Sequence, residues 1–234
     1  MYIYGKNIVK EAIDTNQNIV KAYISKKNKN SELTKELQDK KIKTQLVDEV
    51  VLNRLVKGLH QGYVLKIEEV ATYPIEELYS YQKKELPLVV VLDHLEDPHN
   101  FGAIIRTSEA MGVKGIIIPN DRSVSITGTV VKTSAGAIHH TKIIRVPNIN
   151  NAIHKLKENG YWIVGTDMSG EDYQTIDYKV PIALVIGNEG HGISKIVRES
   201  CDYIAKIPMY GKINSLNASV SCGIFLVEIV NARR

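Results

Sequence analysis

The chain has 234 residues, enough for one large domain or two modest ones with a proper core. An apolar content of 44% and a charged content of 24% are those of an ordinary folded protein and argue against disorder; no apolar run is long enough to span a membrane. The net charge of +4 lies wholly in the first third: residues 1–84 carry 15 Lys and Arg against 11 Asp and Glu, whereas residues 85–234 carry 15 against 15.

Residues 2–70 read as a small α/β unit. Tyr4-Gly5-Lys6-Asn7 leads into a helix over 8–14, followed by a strand over 19–24. Leu33 and Leu37 stand four apart behind Ser31, which predicts a capped helix over 31–40. A strand over 43–47, a helix over 48–56 closed by Gly58, and a strand over 62–67 complete the unit. The basic runs Lys26-Lys27-Asn28-Lys29 and Lys40-Lys41-Ile42-Lys43 fall here. They fit either phosphate attraction or a solvated lysine-rich surface. Residues 71–85 are polar and read as a linker with a short helix.

From Leu88 onward, strand-like and helix-like segments alternate. Strands are expected over 88–92, 115–118, 143–146, 161–166, 183–186 and 203–207, and helices over 101–111, 130–137, 151–159, 194–199 and 217–232. The strands are apolar almost throughout, the pattern of a parallel sheet covered on both faces. Three of them run into segments rich in Gly, Asn and Pro: Asp97 to Arg106, Ile186 to Gly192, and Ile207 to Asn217. Such residues serve sharp turns and close backbone approach, and three such loops predict one composite site at a sheet edge.

In the first segment Asn100 is a good N-cap for a helix from Phe101, and Arg106 lies off the apolar stripe. Arg106 fits either a surface pair with Glu109 or a guanidinium held for phosphate or developing charge. The second segment lacks both GxGxxG spacing and a Lys-Ser/Thr pair, so a phosphate loop is disfavoured. In the third, Ser215 or Asn217 caps the last helix. Cys201 and Cys222 lack CxxC spacing and are expected to be reduced thiols of a cytoplasmic protein; the histidines lack metal-binding spacing, and no metal is expected. Met1 to Lys10 does not read as a secretory signal.

In order and spacing, the three segments resemble motifs 1, 2 and 3 of the SpoU (TrmH-like) branch of SPOUT RNA 2′-O-ribose methyltransferases. Tyr4-Gly5-Lys6-Asn7 and His60-Gln61-Gly62 are similar to the L30e-like substrate-binding domain of the RlmB/YacO-like subgroup. The resemblance implies an α/β SPOUT fold with a parallel sheet and a C-terminal deep trefoil knot. It implies an L30e-like domain over 1–72, a linker over 73–86 and a catalytic domain over 87–234. It implies a homodimer with no membrane association and S-adenosylmethionine as cofactor, held by Gly165, Thr166, Gly187, Ile207, Met209, Ser215 and Leu216. Ser134-Ala135-Gly136-Ala137 resembles a further family segment near the site. Arg106, Asn100, Glu189, Ser215 and Asn217 match the polar catalytic positions. The expected reaction is methylation of a ribose 2′-hydroxyl, with a guanosine of the 23S rRNA peptidyl-transferase loop as acceptor. A tRNA or another rRNA site keeps the chemistry and changes the substrate. An RNA-binding ribosome-assembly factor with a relic cofactor site is the non-enzymatic alternative.

Overall fold

The computed structural model describes residues 2–14, 17–68, 70–82, 85–121, 124–212 and 215–234. Ile213 and Asn214 of the third segment lie outside the described residues. The chain forms two compact units, 1–70 with 126–132 and 71–125 with 133–234.

In the first unit Tyr2–Tyr4 (β1), Ile19–Ser25 (β2), Thr44–Val47 (β3) and Tyr63–Ile67 (β4) form a sheet in the order β1-β4-β2-β3, with β2 and β3 parallel. Lys6–Asp14 (α1) and Glu32–Asp39 (α2) share a core with Tyr63, Leu65 and Ile67. Glu49–Leu55 (α3) places Leu52 in a second cluster with Val47 and Val64. The two-residue alternation along β4 assigns these side chains to opposite faces. Ser31 caps α2 as expected, its Oγ accepting from the Thr34 amide at 3.2 Å. The strand that sequence reasoning missed is β1. It has only three residues and is defined by its antiparallel pairing with β4. The two sequence motifs of this unit meet in space: the Lys6 amide donates to Gln61 Oε1 at 2.9 Å, and Gln61 holds a left-handed φ of 50°.

The second unit is built on seven parallel strands. They are Thr72–Tyr73 (β5), Leu88–Asp93 (β6), Gly115–Pro119 (β7), Ile143–Val146 (β8), Trp162–Asp172 (β9), Ile182–Gly187 (β10) and Tyr203–Lys206 (β11), in the order β11-β9-β10-β6-β7-β8-β5. Every residue of β6, β7 and β10 is buried, as their apolar sequences require. The helices of this stretch of chain are Pro98–Ala110 (α4), Gly128–Thr133 (α5), which falls in the first unit except for Thr133, Ile149–Glu158 (α6), Lys195–Glu199 (α7) and Ala218–Ala232 (α8). Ile153 and Leu156 of α6 and Val197 of α7 share one core cluster with Val89, Val91, Ala183 and Val185. α4 and α8 pack against each other, and α8 reaches β10. The chain runs outward from β6 to β8, then returns to place β10 beside β6 with β9 beyond it. Such a reversal opens a crevice at the carboxyl ends of the central strands.

Three local readings change. Helix α4 begins at Pro98, not Phe101, and its cap is Asp97, whose side chain accepts from the His99 amide at 2.9 Å. Proline suits the first helical position, where its missing N–H costs nothing. The segment read as a linker contributes β5, which pairs with β8, and the buried residues Ile75 and Leu78. The helix expected over 130–137 ends at Thr133, because Ala135 and Gly136 adopt left-handed φ of 50° and 88°.

The C-terminus is tied down by Arg233. Its Nε donates to the Tyr178 carbonyl at 2.9 Å, and its two terminal nitrogens donate to Leu86 and Val180 at 2.7 Å each. Burial pulls its pKa below the usual value, yet the fork stays matched to three carbonyls. Arg233→Ala is expected to cost about 2–3 kcal/mol by orphaning these acceptors. Arg233→Lys recovers little, since one ammonium cannot span the three. Urea unfolding midpoints of the two variants check this.

Candidate active site

A cleft of about 380 Å³ opens at the carboxyl ends of β9 and β10, within the size range of small-molecule sites. Its walls come from segments far apart in sequence, 166–168, 186–192, 205–209, 215–216 and part of α8. Seven of the residues expected at the site line it: Thr166, Gly187, Glu189, Ile207, Met209, Ser215 and Leu216.

Gly187 ends β10 opposite Asp93 of β6. A Cβ there would stand 2.1 Å from the Gly192 carbonyl carbon and 2.3 Å from the Ile193 amide nitrogen. Two backbone segments therefore touch at this point, and only glycine allows it. The loop beyond closes as a tight hairpin: Asn188 N donates to Gly192 O at 3.0 Å and Gly192 N to Asn188 O at 2.8 Å. The Asn188 side chain accepts from the Gly190 amide at 2.8 Å and donates to the His94 carbonyl at 3.0 Å. The loop is thereby anchored to the end of β6.

Behind the cleft wall the three sequence segments are joined by hydrogen bonds. Asn100 is buried; its amide donates to Glu189 Oε1, and its Oδ1 accepts from Ser219 Oγ at 3.2 Å. Asn217 caps α8, its Oδ1 accepting from the Ser219 amide at 2.9 Å and standing 2.6 Å from Ser219 Oγ, whose one proton is shared between Asn217 and Asn100. Asn100 and Asn217 thus act on the walls rather than as part of them. Because Asp97 caps α4, Asn100 is free for this role. Gly165 does not line the cleft; a Cβ there would meet Cys201 Sγ at 2.7 Å and Ile193 Cδ1 at 2.9 Å, so packing accounts for the glycine. Arg106 lies on α4 six residues beyond Asn100, exposed, and makes no ion pair or hydrogen bond among the described residues. Of the two readings of Arg106, the surface pair with Glu109 is not formed among the described residues.

Sequence reasoning missed Asp167. Between Ile204 and Ala205 of β11 the pairing on β9 jumps from Gly165 to Glu171, so 166–170 leave the ladder and the cleft gains Asp167 and Met168. Burial alone would raise the Asp167 carboxyl, but hydrogen bonds from Ser169 and Arg198 hold it below the usual range. Arg198 reaches Asp167 Oδ1 at 2.8 Å. The sequence shows only that the apolar run ends at Thr166; that Asp167 joins the cleft depends on where β11 pairs. Burial also pushes the Cys201 and Cys222 thiols up to about 12, which makes both poor nucleophiles. Among the described residues no cluster of His, Cys, Asp or Glu is placed to hold a metal, and no helix is long and apolar enough to cross a membrane.

The cleft suits a small ligand with both apolar and polar parts. Its walls mix backbone groups, the apolar Ile186, Ile207 and Leu216, and the carboxylates Asp167 and Glu189. An adenine, a ribose and a sulfonium fit that donor set better than a polyphosphate.

Comparison with known proteins gives the family. The profile of the SpoU rRNA methylase family matches residues 87–227, and that of the RNA 2′-O ribose methyltransferase substrate-binding domain matches residues 2–73. The chain is 40% identical over 238 residues to YacO of Bacillus subtilis, named as a TrmH family tRNA/rRNA methyltransferase, covering 99% of this chain and 96% of that one. A relative of the same description from Staphylococcus saprophyticus is 43% identical over 237 residues, covering 99% and 95%. Among solved structures, the AdoMet-bound rRNA methyltransferase from Sinorhizobium meliloti aligns with a TM-score of 0.65 at 27% identity, covering 97% and 85%. The SpoU methyltransferase AviRb from Streptomyces viridochromogenes, at 24% identity and a TM-score of 0.67, shares the fold.

Proposed function

Because this chain belongs to the SpoU rRNA methylase family, we propose that it transfers a methyl group from S-adenosylmethionine to a ribose 2′-hydroxyl of RNA, its substrate being a guanosine of the 23S rRNA peptidyl-transferase loop. The observation that carries the reading is the hydrogen-bonded chain from Glu189 through Asn100 to Ser219 and Asn217, which gathers all three motif segments around one cleft.

In this reading the bound donor supplies a methyl group already activated by its sulfonium. The protein has to hold and align it and ease loss of the hydroxyl proton. Thr166, Gly187, Ile207, Met209, Ser215 and Leu216 form the donor site, with Gly165 supporting it from within β9. Arg106 makes no ion pair or hydrogen bond among the described residues, and its role in this reading is to stabilise the developing alkoxide or to hold the adjacent phosphate. Asn100 and Glu189 set the loop against α8, and Asn217 fixes the turn into that helix. Residues 1–72 capture folded rRNA through their basic surface, 73–86 connect, and 87–234 perform the transfer. The proposal includes a homodimer, a cytoplasmic location and a knotted C-terminal segment.

The relatives' shared description names tRNA as well as rRNA, which keeps a tRNA ribose as the second reading. Pure protein is incubated with labelled S-adenosylmethionine and either unmodified 23S rRNA fragments or unmodified tRNA, and the label is mapped. Label on a guanosine 2′-oxygen of the peptidyl-transferase loop is the expected result. Label confined to tRNA, or on a base, overturns the substrate assignment.

A further inference from the structure

We infer that Asp167 holds the methyl donor by its sugar, one carboxylate oxygen accepting from the ribose hydroxyls. The inference rests on the methyltransferase reading above and adds one contact to the donor site.

Asp167 lines the cleft. It stands in the stretch 166–170, which leaves the ladder between β9 and β11. That stretch is fixed at its return. A Cβ on Gly170 would stand 2.3 Å from the Ile204 carbonyl oxygen and 2.7 Å from the Ala205 amide nitrogen, so its backbone lies directly on β11. Asp167 closes the stretch from within. Its Oδ1 accepts from the Ser169 amide at 2.9 Å, from the Ser169 hydroxyl, and from Arg198 at 2.8 Å. Arg198 also donates to Ser169 Oγ at 2.6 Å. A single oxygen therefore takes every internal bond of this carboxylate. Oδ2 makes no hydrogen bond or ion pair among the described residues, and the side chain is 29% exposed. This oxygen faces the hairpin that forms another wall of the cleft: a Cβ on Gly192 would stand 4.0 Å from it. An Asx turn with an ion pair needs only one oxygen. The second is left as an acceptor at the cavity surface.

The kind of acceptor selects the group it binds. Arg198 offsets the charge of Asp167, so the pair draws a cation less than a lone carboxylate would. The adenine rim sets ring-nitrogen lone pairs beside its exocyclic amine, and a carboxylate, which only accepts, repels them. Ribose instead offers two adjacent hydroxyls as donors, and an acidic side chain is the usual partner of a nucleoside ribose. Glu189, the other carboxylate of the cleft, is engaged by the Asn100 amide. The ribose stays bound in the same way before and during transfer. Asp167 therefore sets donor affinity and leaves the rate at saturating donor unchanged.

The test compares S-adenosylhomocysteine with its 2′,3′-dideoxy analogue by calorimetry, in the full-length wild type and in Asp167→Ala. The wild type is expected to bind the analogue about 10-fold to 100-fold more weakly. In Asp167→Ala, S-adenosylhomocysteine is expected to weaken by a similar factor, and the two ligands to differ by no more than about threefold. A merely structural role would weaken both ligands alike and leave the wild-type ratio intact; that result overturns the inference. So does a wild type that binds both ligands equally. If Asp167→Ala binds neither, Asp167→Asn carries the same comparison, since it keeps the shape of the side chain and leaves its oxygen to Arg198. With 23S rRNA fragments, the donor KM is expected to rise about 10-fold or more at a kcat within about twofold of wild type. A fall in kcat at unchanged KM also overturns the inference. A wild type that binds no S-adenosylhomocysteine sinks the methyltransferase reading as well, whereas binding without a hydroxyl penalty sinks the Asp167 contact alone.

Discussion

Arg106→Ala is expected to abolish methyl transfer while leaving donor affinity within about twofold of wild type. The side chain is exposed and makes no ion pair or hydrogen bond among the described residues, so truncating it removes little from the fold. Surface changes of this kind usually stay within about 0.5 kcal/mol. The residue does not line the donor cleft, so binding there keeps its contacts. The lost function is charge: a guanidinium positioned where negative charge develops is worth about 100-fold to 1,000-fold in rate. Arg106→Lys keeps the charge and loses the planar fork, and it is expected to fall between the two. Calorimetry with the donor and a single-turnover transfer assay on the same preparations decide the matter. Retained turnover in Arg106→Ala, or loss of donor binding, removes Arg106 from its proposed role.

Gly187→Ala is expected to weaken donor binding at least about 100-fold. The added methyl would meet the Gly192 carbonyl carbon at 2.1 Å, the Ile193 amide nitrogen at 2.3 Å and the Gly192 oxygen at 2.4 Å. All three are backbone atoms, so no side chain can rotate away. Ordinary overpacking costs about 1–3 kcal/mol, and a clash with backbone lies at or beyond the upper end. The hairpin over 188–192 has to open to accept the methyl. That shifts Asn188 from the His94 carbonyl and Glu189 from Asn100. A drop in thermal midpoint is expected alongside. Gly211→Ala is the control, because no atom lies within 4 Å of its added Cβ. Equal donor affinity in Gly187→Ala and wild type would overturn the account of the hairpin.

Much of this protein was legible in its residues. The parallel sheet showed in strands without polar alternation, and every residue of β6 and β10 is indeed buried. The loops carrying the site showed in Gly, Asn and Pro placed after those strands. Local chemistry fixed the Ser31 and Asn217 caps, because a cap depends on neighbours two or three positions away. That locality also explains the misreading of Asn100. It is an adequate cap by type, but Pro98 let the helix begin a turn earlier.

What the amino-acid sequence determined by itself is the fold class, the family and the presence of a composite site, since periodicity, turn chemistry and motif spacing are local properties. Only the tertiary structure decided what those residues do to one another. Asn100 meets Glu189 across 89 positions, the Ser194 amide meets Asp93 across 101, and Ser219 meets Asn100 across 119. The departure of Asp167 from the ladder depends on where β11 pairs, and the orientation of His94 depends on a carboxylate buried by the packing around it. Partners so distant leave no periodic trace along the chain. They are selected only when the sheet assembles and each buried polar group must find a donor or acceptor within reach.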